Sequence, residues 1–426
     1  MRNIKTYFIR CIFFILLSIF MISCNEDPTN IAMRFLQDTV TVVYMSDEEG
    51  SILSCDSNYI IERATNNTGA VLIGCTDKIK AATVLRFDFP PEHGWINEDD
   101  IISSELLLFP LHYAIGDTNG SNYLSFDIKK VINRWTFEDT KADDILNSDM
   151  LYDNHILASW SGNIKYKDTV NKDSLDTIAI NIPKSLCVEW FKKRNVMPTD
   201  STPDSEITWG IALIPKNDCS VINSFKAAGN VYPTGSIMRV VYKKMLNNGL
   251  DTNITLEVPA GISTKFVILD EVLNNKDLII QSGVKVHTRL NFDISSIPNL
   301  ASTNLAELTL TMDTSRSYWG NEGVDTVFRL GLFTDLSYEF NNAEPALVCY
   351  GRRKEGTNQY IFRSAEIMLM YLLNSQEGKG SLVLMPNSSI NDANTLNRYV
   401  FYGNDEKDES LRPKLKLIYS YLEQSK

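Results

Sequence analysis

Short runs in which apolar and polar residues alternate, bounded by Gly, Pro, Asn and Asp, recur along most of the chain. A period of two puts every second side chain on one face, so each run reads as a half-buried strand. Thr39–Tyr44, Thr83–Phe89, Glu105–Phe109 and Ile207–Ile214 have this form in the first half, and Ala306–Met312 and Lys414–Tyr419 in the second. Apolar residues recurring at three and four, the helical signature, are confined to Lys184–Lys193 and Ser364–Leu373. The pattern predicts an all-β chain with one short helix in each half.

Three strand motifs occur twice, in the same order. Val84–Asp88 (VLRFD) corresponds to Arg289–Asp293 (RLNFD), Ile211–Pro215 (IALIP) to Leu382–Pro386 (LVLMP), and Met238–Tyr242 (MRVVY) to Leu415–Tyr419 (LKLIY). A helical segment lies between the first and second motif of each set, so a duplicated unit is expected. With 426 residues the chain also exceeds what one hydrophobic core usually serves. The expected division is a first β-sandwich over 38–243, a polar Asn/Gly-containing linker over 244–253 and a second sandwich over 254–421.

The N-terminus carries a different pattern. Arg2, Lys5 and Arg10 flank the apolar run Cys11–Ile22, which is too short to span a bilayer and reads as a signal peptide over 1–23. The run ends in Met21-Ile22-Ser23-Cys24, which resembles the lipobox of bacterial lipoproteins and implies lipidation of Cys24, with 24–37 as a tether. Asn25-Glu26-Asp27 resembles the surface-export signal of Bacteroidota lipoproteins, which implies an outer-membrane lipoprotein displayed at the cell surface. The formal charge of −12 becomes more acidic once the three basic residues of the leader leave. Such a chain lacks the basic footprint for nucleic acid or anionic lipid, so membrane attachment is expected through the N-terminal lipid alone. Beyond Cys11 and Cys24 the cysteines are Cys55, Cys75, Cys187, Cys219 and Cys349. Their spacing matches no zinc pattern; they read as buried small hydrophobes, or as one bridge, such as Cys55–Cys75, in an exported chain.

The series Leu85-Arg86-Phe87-Asp88, Ser103–Phe109, Ser125-Phe126-Asp127-Ile128 and Trp135, closed by Arg412-Pro413 before a strand ending in Tyr419, resembles the DNRLRE-type domain. That domain is also classed as carbohydrate-binding module family 96 and is related to the disaggregatase repeat. The resemblance implies two tandem jelly-roll β-sandwiches on an exported protein and, for such modules, an association with polysaccharide. The second half departs from the pattern: Asn291 stands where the first half has Arg86, and no Trp matches Trp135. The first half carries a polar insertion over about 139–175.

Catalytic chemistry has little support. His93, His112, His155 and His287 form no zinc-binding pair on one helix face, and no G-x-S-x-G elbow occurs. Gly378-Lys379-Gly380-Ser381 lacks the first glycine of a phosphate loop and reads as a helix-ending turn. Glu98-Asp99-Asp100 and Asp143-Asp144 read as solvated acidic loops. No catalytic residue, cofactor or metal is therefore expected; Asp117–Asn122 has oxygen side chains at alternate positions, as calcium loops do, but lacks the closing Glu and reads first as a turn.

Sugar binding asks for aromatic faces on loops, flanked by planar polar groups. Arg316, Tyr318, Trp319 and Asn321, in a Gly-containing loop, are the best candidates, with Trp160 and Tyr166 of the insertion second. Trp135, Trp190 and Trp209 have apolar neighbours and are expected in the core. The leading expectation is a lipid-anchored surface protein that binds polysaccharide without catalysis. The alternative is a structural or adhesive module whose partner is another envelope protein. Exposure of Trp319 and Trp160 along one groove separates the two.

Overall fold

The computed structural model describes residues 40–47, 53–56, 65–66, 69–90, 96–118, 122–136, 140–146, 151–164, 177–193, 207–227, 235–245, 251–269, 278–284, 286–298, 300–333, 345–375, 378–388 and 393–422. Cys24, Tyr166, Trp95, His93 and the expected leader and tether lie outside them.

The strands of the first half are β1 (Val40–Asp47), β2 (Leu53–Asp56), β3 (Thr65–Asn66), β4 (Ala70–Cys75), β5 (Ile79–Phe87), β6 (Ile101–Leu108), β7 (Pro110–Gly116), β8 (Tyr123–Val131), β9 (Tyr152–Asn163), β10 (Ile178–Asn181), β11 (Ile211–Pro215), β12 (Val221–Lys226) and β13 (Ile237–Met245). Those of the second are β14 (Asp251–Leu269), β15 (Leu278–Gln281), β16 (Thr288–Asp293), β17 (Ser302–Thr311), β18 (Val327–Leu332), β19 (Leu347–Arg353), β20 (Gln359–Arg363), β21 (Lys379–Pro386), β22 (Arg398–Phe401) and β23 (Lys414–Leu422). The described α-helices are α1 (Ala142–Leu146), α2 (Lys184–Lys192) and α3 (Glu366–Ser375), the last two where the periodicity places them, and Glu98–Asp100 form one 3-10 turn. Alternation of buried and exposed residues, clear in β10 and β17, packs one face of each strand inward. The protein is an all-β sandwich.

The duplicated motifs occupy matching places down to the register. Leu85 faces Ile211 as Leu290 faces Leu382. Leu106 faces Met238 as Leu308 faces Leu415, and Ile128 faces Leu213 as Leu330 faces Leu384. Ile180 stands opposite Leu106, and Phe362 opposite Leu308. Beside these paired strands, Phe225 lies between Val71 and Pro110, and Phe401 between Leu278 and Met312. A one-residue slip anywhere would turn the apolar set outward, so shared register reflects one pattern of burial written twice. β9, inside the expected insertion, is paired along β8 in the place that β19 holds beside β18.

Each half has its own core. In the first, Trp190 and Phe191 of α2 pack against Phe89 with ring centroids 5.6 and 4.8 Å apart. In the second, Met368, Leu369, Leu372 and Leu373 of α3 join Phe328, Tyr360 and Phe401. Trp135 and Trp209 are buried as expected, in a smaller cluster with Phe266.

The strand pairing does not follow the expected boundaries. β14 starts at Asp251, inside the stretch expected as a linker, and pairs first with β13 and then, beyond a bulge between Ala260 and Ile262, with β5. It therefore belongs to the first half's sheet. In the second half the same two places are filled from the N-terminus, by β1 on β23 and β2 on β16. Leu256 opposite Val240 matches Met45 opposite Leu417, and Ser263 opposite Leu85 matches Cys55 opposite Leu290. The N-terminal strands thus complete the C-terminal half.

The cysteines also differ from expectation. Cys75, at the end of β4, is bonded to Cys219, just before β12, with Cα atoms 5.5 Å apart. β4 and β12 are neighbours, whereas β2, which carries Cys55, lies in the other sheet. Cys187 and Cys349 are buried free thiols, each pushed up to about 11 by burial, and so remain unreactive at neutral pH.

Candidate functional site

The aromatic loop between β17 and β18 begins with Asp313, whose carboxylate is almost enclosed. It accepts from the Ser315 amide at 2.9 Å, the Ser315 hydroxyl at 2.6 Å and Arg316 Nε at 2.6 Å. Burial pushes this carboxyl up, but those donors outweigh it and hold it below the usual range. Arg316 is thereby fastened to the loop's own base. Tyr318 exchanges both backbone hydrogen bonds with Arg398, and its hydroxyl donates to Gln281 Oε1 at 3.1 Å. Trp319 is half-buried and lies parallel to Tyr399, with centroids 6.5 Å apart and planes 11° apart.

Asn321 reaches across to the first half. Its Oδ1 accepts from the Ala114 amide at 2.9 Å, its Nδ2 donates to the His112 carbonyl at 2.7 Å, and its own N–H donates to the Ala114 carbonyl at 2.9 Å. The side-chain amide acts as an extra peptide unit pairing with β7. Gly320 permits the approach: a Cβ there would meet the Ala114 oxygen at 2.5 Å and the Tyr113 ring at 2.6 Å. Tyr113, 5% exposed, donates its hydroxyl hydrogen to Asn397 Oδ1 at 3.1 Å and accepts from the Leu396 amide at 2.7 Å. Asn397 Oδ1 also accepts from the Gly320 amide at 3.0 Å. Burial drives the Tyr113 phenol well above its ordinary pKa, so it stays protonated and able to donate. Around this polar knot Leu72, Ile79, Ile115 and Ile222 meet Leu396, while Ile279, Val286 and Val400 meet Val267 and Leu269.

The loop that best matches a sugar platform is therefore a seam between the halves. The planar groups expected to hold sugar hydroxyls are committed: Asn321 to β7 and Arg316 to Asp313. Trp160 is placed differently from expectation. It stands on β9 rather than in an open insertion, half-buried, with its ring 5.7 Å from Phe126. The two tryptophans pack against separate cores.

The acidic clusters sit at helix starts. Glu98–Asp100 form one exposed turn, and Asp144 accepts from the Lys141 amide at 2.8 Å at the first turn of α1. Asn122, left-handed at φ 44°, closes a turn by donating its N–H to the Asp117 carbonyl at 3.1 Å. Among the described residues no group of three His, Cys, Asp or Glu side chains is placed to hold a metal. Gly378, left-handed at φ 79°, donates to the Leu372 carbonyl at 3.1 Å and ends α3, which is the turn expected there.

A cleft of about 400 Å³ opens elsewhere in the first half, lined by Asn133, Arg134, Trp135, Thr136, Thr140 and Asp144, with Leu151. Trp135 forms part of its wall, and its Nε1 donates to the Trp209 carbonyl at 3.0 Å, which fixes the ring. Sequence reading assigned Trp135 to the core and missed that it borders a cleft lined by polar residues. The flanking Asn133-Arg134 and Thr136 were the available signal. No protein-family model matches the chain, and no curated protein does.

Proposed function

We propose that this chain is a non-catalytic structural or adhesive module of the bacterial envelope, held to the membrane by lipid on Cys24 and presented outward. One observation carries the choice over polysaccharide binding: the loop with the best sugar-binding composition is spent on holding the two halves together. Tyr399 already stacks on one face of Trp319, and Asn321 spends its side-chain oxygen, one amide hydrogen and its own N–H on β7. A load-transmitting module benefits from such a seam, because β14, β1 and β2 together with the loop tie the two halves to each other. The resemblance to DNRLRE-type domains agrees with an exported sandwich, whichever partner it takes.

Polysaccharide binding is the second reading, favoured by the cleft beside Trp135. Its amide, guanidinium, carboxylate and hydroxyl groups around an indole are the chemistry that holds a sugar ring. Affinity electrophoresis of residues 25–426 through neutral and acidic polysaccharides separates the two. The structural reading expects no retardation on any glycan. Retardation that Arg134→Ala abolishes would overturn it and place a saccharide in the cleft.

A further inference from the structure

β1 and β2 are the two ends of the second half's strand order, which runs β1-β23-β17-β20-β19-β18-β21-β16-β2. They add to the edges of a sheet whose other members come from residues 288–422, and no strand has to move for them to enter or leave. What they leave behind is a strand edge: β23 would present Leu415, Leu417 and Tyr419 on its inner face and a row of unpaired backbone groups at its side. The position is specific in register yet tolerant in sequence. Its counterpart in the first half is filled in the same register by Ile254, Leu256 and Val258 of β14, where β1 offers Val43 and Met45. Only residues 57–64 connect β2 to the first half, a length that spans at most about 30 Å when extended.

We propose that the second half is a strand acceptor between copies of this chain. β1 and β2 of one molecule pair with β23 and β16 of the next, in the register they adopt at home. Every contact of the closed molecule is then kept and only the partner changes. The balance is set by the local concentration of copies against the effective concentration of the tethered segment, which is in the millimolar range for short connections. The join is head to tail, so it propagates into a chain of molecules or closes into a ring. Val42 and Tyr44, 50% and 75% exposed on the outer face of β1, would line the same junction. The biological purpose of such an assembly rests on the structural reading above, whereas its geometry does not.

Val42 and Ser420 face each other across β1 and β23. Val42→Cys and Ser420→Cys are made separately in residues 25–426, each with Cys55→Ser. They are mixed, unfolded in urea without reductant, refolded at increasing concentration and oxidised. The expected result is a mixed dimer whose digest contains a 42–420 disulfide, its yield rising about tenfold for a tenfold rise in concentration. Val42→Cys mixed with Lys414→Cys, out of register, gives only background. Refolded at the lowest concentration, the double variant Val42→Cys/Ser420→Cys closes within one chain. The proposal is overturned if the mixed link never exceeds the out-of-register background while the double variant closes. Failure of the double variant to close would overturn it as well, by removing the register it depends on. The glycan panel is independent of either outcome.

Discussion

Replacing Tyr113 with Phe removes one oxygen from the seam and nothing from its packing. The hydroxyl accepts from the Leu396 amide at 2.7 Å and donates to Asn397 Oδ1 at 3.1 Å. Asn397 Oδ1 keeps its bond from the Gly320 amide, so one group, the Leu396 N–H, is left buried without that acceptor. A buried donor stranded in this way costs about 1–3 kcal/mol. Taking the middle, about 2 kcal/mol, the amide of Leu396 should exchange roughly 30-fold faster in hydrogen–deuterium exchange, and the urea midpoint should fall. Tyr44→Phe, on a side chain 75% exposed, is the control and should change neither. An exchange rate at Leu396 within about twofold of wild type, with an unchanged midpoint, would refute the hydrogen bond and with it the polar knot of the seam.

Reduction of Cys75–Cys219 frees a loop closed over a sequence separation of 144, for which chain entropy gives a ceiling of about 5 kcal/mol; a Tm indifferent to reductant would contradict the bridge. Trp319→Ala should destabilise by about 2–3 kcal/mol through lost packing on Tyr399, read by urea unfolding, and leave glycan retention unchanged. Burial pushes the Glu189 carboxyl up, but hydrogen bonds from Lys130 and Lys193 outweigh it and hold it below the ordinary range. A depressed carboxylate contributes stability that is present above its unfolded pKa of about 4.3 and lost as pH falls through its folded value. Melting curves between pH 5 and pH 3 should therefore fall more steeply for wild type than for Glu189→Gln, and parallel curves would contradict the pairing.

Strand identity and duplication were legible because both are local patterns. The alternation in Ala306–Met312 is what β17 buries, and the match of Met238–Tyr242 to Leu415–Tyr419 predicted two strands in equivalent registers. Helices α2 and α3 were legible for the same reason. Partner choice was not. β14 carries the same alternation whichever sandwich it joins, so nothing within Asp251–Leu269 says that it pairs with β13 and β5 instead of the strands that follow it. The Cys75–Cys219 bridge hides in the same way, since the contact between β4 and β12 is created by topology alone.

The candidate site shows a sharper limit. Trp, Asn, Arg and Gly clustered in one loop are the composition of a sugar platform, but also of a loop that docks on a strand edge. Asn321 is decided by His112 and Ala114, more than two hundred residues earlier, and Tyr113 and Asn397 carried no local signal that could pair them. Trp135 is buried as its sequence neighbourhood predicts, and the polar residues beside it, Arg134 and Thr136, line the cleft that it borders.

N-terminal strands β1 and β2 complete the C-terminal half. Hydrogen–deuterium exchange on residues 25–426 and on a chain beginning at residue 57 tests it directly. Loss of β1 and β2 should expose the amides of β23 that face β1, between Leu415 and Leu422, and those of β16 that face β2, while β13, paired with β14, keeps its protection. Unchanged protection in β23, or a loss centred on β13 instead, would contradict it.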